Sequence, residues 1–418
     1  MSSPVGAWSQ FSLEADLRYG FGTRLETTAE SGLQLEPGYD AKLADDLWFL
    51  GSARFRFDPA DELEPGRPAY DTYAGISQPR VMGESGTGEL RDLYLEWLLG
   101  DHLFRIGKQQ VVWGTLDGIR VLDSVNPHSF REFILADFDE SRINLWSLYG
   151  DLSLGEWRLE VLWSPDTTVH DVPEPGAWFE LTAPRFRFGA TGSDHALTVI
   201  TQRSDDLSDG TIGARASRRL GRTTLRLQAQ TGLDYEPLGR VLVMAGEPVL
   251  ERYYERRTLY GMSLETALAG MVIRGELAVQ PDRFFATRSG DFPDAVEADQ
   301  WTAAIGLDMD GPLGTFVNVQ LLHDRISGAR IAPVRNDEDT IVTIFLRRTF
   351  AYESWRLESR WYGNLKDDDG LARLAIIHDL SESLSLELAG DYFYGSETGI
   401  FGQFREKDRI TLRLQFRL

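Results

Sequence analysis

The sequence contains no cysteine, which excludes disulfides, thiolate nucleophiles and Cys-ligated metals. Histidine is also scarce: six in 418 residues, with no pair at the i,i+4 spacing of a helical metal site. No run of ~18 apolar residues occurs, so no segment can cross a bilayer as a helix. Positive charge is in deficit. The 43 Lys and Arg face 65 Asp and Glu, a net charge of -22. That balance argues against nucleic acid or anionic headgroups as the main partner. The start, Met1-Ser2-Ser3, has no positive charge and no apolar core. It reads as a mature terminus from which a signal peptide has been removed.

Aromatics and glycine are plentiful: 11 Trp, 14 Tyr, 22 Phe and 40 Gly. Mean hydropathy is nevertheless only -0.28. Alternating strands reconcile the two, because half of each strand is polar. Over residues 10–21, Phe11, Leu13, Ala15, Leu17, Tyr19 and Phe21 alternate with Gln10, Ser12, Glu14, Asp16, Arg18 and Gly20. That span exceeds the ~5–6 residues of a globular strand and matches the ~9–11 needed to cross a bilayer at a tilt. Residues 25–35 repeat the pattern weakly, and 47–57, 89–99, 103–113, 143–154 and 157–163 repeat it clearly. At the end, Ile410, Leu412, Leu414, Phe416 and Leu418 alternate with Arg409, Thr411, Arg413, Gln415 and Arg417. The arginine face cannot meet lipid, where each Arg costs ~2–4 kcal/mol at the bilayer midplane.

Short turns separate the strands at 100–101, 155–156, 191–194, 221–222, 269–270, 311–314, 351–354 and 381–383. Long polar connections fall at 58–88, 164–178, 235–252, 282–297, 325–337, 364–370 and 395–407. This asymmetry is that of an outer-membrane barrel, with periplasmic turns and extracellular loops. The expected fold is one all-β domain over residues 1–418. It is a transmembrane antiparallel up-and-down barrel of about 18–20 strands, closed so that no edge is left unpaired.

The polar faces are charged. Arg54, Arg56, Arg158, Arg226, Arg274, Arg356, Arg360 and Arg413 share them with Glu96, Glu160, Glu276 and Glu358. These are the candidate pore-lining residues. Two readings stand: ion pairs that brace the wall, or opposed charges that line an aqueous pore.

One stretch interrupts the strands. Residues 115–140 carry Ile119, Val121, Leu122, Val125, Phe130, Phe133, Ile134, Leu135 and Phe138. The spacing of Phe130, Phe133, Ile134 and Phe138 predicts one or two short helices. So much apolar surface is unfavourable in water by ~25 cal/mol per Å². The loop is therefore expected to fold into the lumen as a constriction, or otherwise onto the rim. Its candidate residues are Trp113, where the strand would turn inward, Asp117, Arg120, Asp123, Asn126, Pro127, Phe130, Arg131 and Glu132. Pro127 fixes a bend after Asn126.

Signals for catalysis are weak. His128-Ser129 lies near Asp123, Asp137 and Asp139, but no flanking pattern supports a hydrolase. Asp137, Asp139 and Glu140 lack the glycine-punctuated spacing of a calcium loop and are expected to pair with Arg120, Arg131 or Arg142. No enzyme activity, metal or cofactor is expected.

The run Gly107-Lys108-Gln109, Val111 or Val112, Trp113-Gly114, followed by Val125-Asn126-Pro127, resembles a family of proteobacterial outer-membrane barrels known as a domain of unknown function (family 1302). A more distant resemblance is to alginate-export barrels. The terminal strand also resembles the signal for outer-membrane insertion, with Leu418 where Phe is usual. The resemblance implies a porin or transporter of the bacterial outer membrane, in contact with its lipids and lipopolysaccharide. The expectation is a passive channel for a small hydrophobic or anionic organic solute, with no nucleic-acid partner. The alternatives are a barrel exporting an anionic polysaccharide, or a plugged barrel anchoring a periplasmic or surface protein.

Overall fold

The computed structural model describes residues 8–66, 69–189, 198–202, 206–290 and 292–418. Long alternating stretches become strands because each can turn its apolar face to lipid and its polar face inward. Eighteen of them form the wall. In chain order they are β1 (Ser9–Gly22), β2 (Thr27–Ala44), β3 (Leu47–Phe57), β4 (Gly86–Leu99), β5 (His102–Gln109), β6 (Leu145–Leu154), β7 (Trp157–Ser164), β8 (Thr211–Leu220) and β9 (Thr223–Leu233). They continue as β10 (Arg256–Leu268), β11 (Met271–Ser289), β12 (Phe292–Asp310), β13 (Phe316–Ser327), β14 (Glu338–Phe350), β15 (Trp355–Asn364), β16 (Asp369–Ser381), β17 (Leu384–Tyr394) and β18 (Arg409–Arg417). Each pairs antiparallel with the next, and β18 closes on β1 from Gly22↔Arg409 to Glu14↔Arg417. Two bonds between Leu13 and Leu418 finish the seam, at 3.2 and 2.9 Å. Closure leaves the wall no free first or last strand, as a membrane demands. A short strand, Arg80–Met82, adds to β4 at one end.

Facing follows the alternation. Leu17, Tyr19, Leu412 and Leu414 are exposed on the outer wall, while Asp16, Arg409 and Thr411 are buried inside. Both chain ends and most of the short turns share one end of the barrel; the short links from β1 to β2 and from β11 to β12 lie at the opposite end. The long connections 58–85, 110–144, 165–210, 234–255 and 395–408 share that opposite end.

Several expectations are corrected. The strand over 103–113 ends at Gln109, because the side chain of Asn126, not a neighbouring strand, takes the Val111 amide. The supposed loop 282–297 is wall: β11 and β12 are 19 residues each. Pro281 and a register shift between Gln280 and Arg283 break the period there. The connection 235–252 contains a hairpin, Leu238–Met244 with Glu247–Tyr253, which Thr198–Thr201 joins in parallel. The turn expected at 191–194 lies outside the described residues. The segment before it holds a 3₁₀ turn, Pro184–Phe186, where a strand was expected.

The wall is uneven in height. At ~3.3 Å per residue the 8-residue β5 and β7 rise roughly 26 Å, and β11 and β12 more than twice that. The largest buried apolar cluster draws on several loops as well as the wall. Leu63, Phe133, Trp178, Phe179, Phe401 and Phe404 come from four long connections and meet Leu371 and Phe393 of the wall.

Candidate functional site

Segment 110–144 leaves β5 and returns at β6. Asn126 ties its two ends together: the Val111 amide donates to Oδ1 and Nδ2 donates to the Ile143 carbonyl, both at 2.8 Å. The Ile143 amide in turn donates to the Pro127 carbonyl at 2.8 Å.

The first half lies against the inner faces of β8 to β13. Gly213, Gly261 and Gly306 face inward there, between outward neighbours such as Ile212, Tyr260 and Ile305. A Cβ at Gly213 would meet the Trp113 ring at 2.8 Å, one at Gly261 would meet Leu122 at 2.5 Å, and one at Gly306 would meet Leu116 at 2.9 Å. Each glycine is thus a seat for one large apolar side chain of the loop. Burying such side chains contributes ~1.5–3 kcal/mol apiece. Neutral groups of the wall and of the 234–255 connection bond part of the loop backbone. Gln228 donates to the Leu122 carbonyl at 3.1 Å, Gln230 to Ser124 at 3.0 Å and Tyr235 to Val125 at 2.6 Å. The Gly118 amide donates to Gln320 at 3.3 Å. Glu276 accepts from the Thr115 hydroxyl at 2.7 Å and the Leu122 amide at 3.0 Å, and Arg215 donates to the Trp113 carbonyl at 2.9 Å.

The second half meets an ionic wall. Arg18 donates to Glu132 at 2.9 Å and to Glu140 at 3.1 Å, and Arg413 donates to Asp16 at 2.8 Å and to Glu140 at 2.9 Å. Arg409 binds Asp391 and Glu30 and stands 3.9 Å from Glu132. Burial alone would raise the Glu132 carboxyl, but Arg18, Arg131 and Arg409 outweigh it and hold the group down to about 2. A one-turn helix, α1 (Phe138–Ser141), lies here. Its exposed carbonyls are taken by wall arginines. Arg54 donates to the Glu140 carbonyl at 2.9 Å, and Arg91 donates to those of Asp139 at 2.7 Å and Arg142 at 2.6 Å. Within the loop, Arg142 binds Asp123 at 2.7 Å, and Arg120 donates to the Ser141 hydroxyl at 2.7 Å with its guanidinium 4.1 Å from the Phe138 ring centre.

The helix expected through Phe130, Phe133, Ile134 and Phe138 is reduced to α1, because Phe133 takes a left-handed φ of 54° that stops a helix. Ser129 donates to Asp171 at 2.9 Å, not to His128, whose amide donates to His170 Nδ1. Burial drops His170 to about 3, and the Ser129 hydroxyl is bonded to Asp171 rather than to either imidazole. The acids Asp137, Asp139 and Glu140 diverge. They meet Arg360, Arg142 and the Arg18/Arg413 pair respectively. Arg131 reaches Glu64 at 2.8 Å.

The wall charges are matched. Arg54 meets Glu36 at 2.9 Å, Arg56 meets Glu89 at 3.1 Å, Arg158 meets Asp151 at 2.5 Å and Arg226 meets Glu265 at 3.5 Å. Arg274 binds Asp308 and lies 3.6 Å from Asp117. Arg356 meets Glu358 at 3.3 Å, and Arg360 meets Asp137 at 3.7 Å. Glu96 accepts from Arg105 at 2.7 Å, and Glu160 from Arg215 at 2.5 Å. The sequence reading missed Arg18, Arg91, Arg215, Gln228, Gln230 and Gln320. It also missed the seats at Gly213, Gly261 and Gly306, whose only signal is a glycine at an inward position of a strand.

Cavities lie on both sides of the segment. Toward the long loops is one of about 420 Å³, lined by Phe130, Phe133, Tyr235 and Phe401 and by the matched charges Arg283, Asp234, Arg335 and Asp324. Toward the short turns lie one of about 480 Å³, lined by Thr115, Phe316, Phe345 and Arg347, and a charged one of about 290 Å³ between Arg373, Glu387 and Arg413.

A closed eighteen-strand antiparallel wall, with short turns at one end and long loops at the other, defines an outer-membrane β-barrel of porin architecture. The chain belongs to the family described as protein of unknown function (DUF1302), which matches residues 39–328. Among solved structures it is similar in fold to OccK1 (OpdK) of Pseudomonas aeruginosa, at 11% identity and a TM-score of 0.51, covering 98% of each chain. It is likewise similar to OccAB1 of Acinetobacter baumannii, at 8% identity and a TM-score of 0.51, covering 99% of this chain and 96% of that one. No curated protein matches it.

Proposed function

We propose that this protein is a passive channel of the bacterial outer membrane for a small, uncharged or hydrophobic organic solute. Segment 110–144 acts as its constriction. The observation that carries this reading is a loop bonded to opposite walls of the lumen with a cavity on each side of it. The matched wall arginines favour bracing over an anion path, and so favour an uncharged solute over an anionic one. Aromatic lining of the cavity on the long-loop side suits the same class. The same pairing weighs against export of an anionic polysaccharide, which would need unmatched positive charge along its route. In this reading the outer wall meets membrane lipids and lipopolysaccharide, and the solute is the only other partner.

Deletion of residues 118–136 tests it in planar bilayers. The shortened barrel is expected to insert, to conduct more per channel and to admit a wider range of solutes. A correctly folded deletion variant with unchanged conductance would assign the loop to the rim. A barrel that conducts in neither form would favour the plugged, partner-anchoring alternative.

A further inference from the structure

The two cavities that flank the constriction share four lining residues: Gly118, Asp123, Phe138 and Tyr362. Strand register places them on opposite sides. The upper cavity meets Leu322, Asp324 and Ile341, near the long-loop ends of β13 and β14. The lower one meets Phe316, Asn318 and Phe345, toward the short-turn ends of the same strands. The partition between them is therefore one side chain thick at this junction. Elsewhere along the loop it is backed by the glycine seats or by the buried ion-pair network.

We infer that solute passes the constriction at this junction, and that Phe138 is the side chain that opens and closes it. This rests on the channel reading. Gly118 offers no side chain, Asp123 is fixed by Arg142, and Tyr362 belongs to the wall strand β15. Phe138 is the first residue of a one-turn helix whose N-cap, Asp137, makes no side-chain capping bond. The wall grips that helix at its other end, through the carbonyls of Asp139, Glu140 and Arg142. The wall's bonds to the backbone of this single turn all fall after Phe138, and before it the wall offers only Arg360, 3.7 Å from the Asp137 carboxylate, so the first residue is the least restrained. Two arginines frame the ring, Arg120 at 4.1 Å and Arg142 at 5.9 Å from its centre, so the closed position is a cation–π seat. An entering aromatic or other flat ring compound can take that seat in place of Phe138, because it presents the same π face to the same guanidinium. The ligand class favoured at the junction is thus an uncharged ring compound rather than a linear alkane.

The absence of native cysteine makes the test clean. Phe138→Cys, made in the full chain, is followed in a planar bilayer during treatment with a bulky methanethiosulfonate. Conductance is expected to fall by about two-fold or more on modification, and wild type is expected not to respond. Val243→Cys, on the exposed hairpin of the 234–255 connection, is the labelling control. Phe138→Ala is expected to raise conductance and uptake of an uncharged probe such as benzyl alcohol. If the barrel conducts but modified Phe138→Cys and Phe138→Ala both behave as wild type, the route lies elsewhere and this inference fails alone. If neither wild type nor the 118–136 deletion conducts, the channel reading itself fails.

Discussion

The two walls that clasp segment 110–144 work by different physics. The wall of β8 to β13 holds residues 113–125 mainly by shape, through glycine seats and uncharged amides, with Glu276 and Arg215 adding bonds to Thr115, Leu122 and Trp113. The wall of β1, β3, β4 and β18 holds residues 132–142 by charge, through Arg18, Arg54, Arg91, Arg409 and Arg413. Packing has a short range and a steep penalty, so the first wall fixes where the loop sits. Ion pairs are longer in range and respond to salt and protons, so the second wall is the one that can yield. The proposed gate, Phe138, stands on the yielding side.

The largest effect is expected at Arg409, which is buried between Asp391 and Glu30 at the β18 seam. Arg409→Ala strands the buried Glu30 and leaves Asp391 with Arg373 alone, and should cost about 3–5 kcal/mol. The readout is a lower temperature for the folded-to-unfolded band shift on gels. An unchanged transition would mean that the ionic wall carries no stability and that the contrast between the walls is false.

Next comes Gly261→Ala. A methyl group 2.5 Å from Leu122 overpacks the shape-fitted wall at a cost of about 1–3 kcal/mol. Here the barrel should keep its melting behaviour while the loop loosens, seen as larger open-channel noise and faster proteolysis within 110–144. Equal loosening by raised salt in wild type would show that charge, not shape, sets the position of this half.

How far the sequence revealed this contrast depended on whether the signal was local. β18 was legible because its alternation is unbroken from Arg409 to Arg417. The height of β11 and β12 was not, because Pro281 and Asp282, whose φ is 52°, interrupt the period inside a continuous strand. The loop announced itself by apolar density, and the inward charges by their strand phase. The seats did not, since Gly213, Gly261 and Gly306 are brought together only by barrel closure across five strands. Nor did the helix-like spacing of Phe130 to Phe138 reveal that Phe133 turns left-handed.

A smaller effect is expected from pH. Asp171 anchors Ser129 of the loop, while its backbone carbonyl takes the Phe130 amide. Burial, with Glu64 adding to it, pushes its carboxyl up to about 7. Arg56 and the Ser129 hydroxyl oppose the shift, and Glu89 reinforces it. A carboxyl raised in the folded state stabilises while it is neutral, and that contribution is lost as pH rises through the raised value. Exchange of the Phe130 amide, relative to the intrinsic rate at each pH, should therefore quicken as pH rises toward about 7 and level off above it. Asp171→Asn should remove the dependence, and a variant that keeps it would place the titrating group elsewhere.

The smallest effect decides between bracing and an anion path. Arg226 meets Glu265 at 3.5 Å, with both side chains partly open to water in the lumen. An exposed pair of this kind contributes only about 0–1 kcal/mol, so Arg226→Gln should leave the melting transition in place. Its electrical effect separates the readings. If arginine and carboxylate merely balance, removing one leaves Glu265 unmatched, and the reversal potential in a salt gradient should move slightly toward cations with conductance nearly constant. If Arg226 is a stepping point for anions, conductance should fall along with anion preference. Adding Glu265→Gln restores the balance in the first case and should return the reversal potential to that of wild type. In the second case the double variant should remain as poor an anion conductor as Arg226→Gln alone. That outcome would turn the matched charges from wall braces into a conducting lining and reopen the anionic solute class.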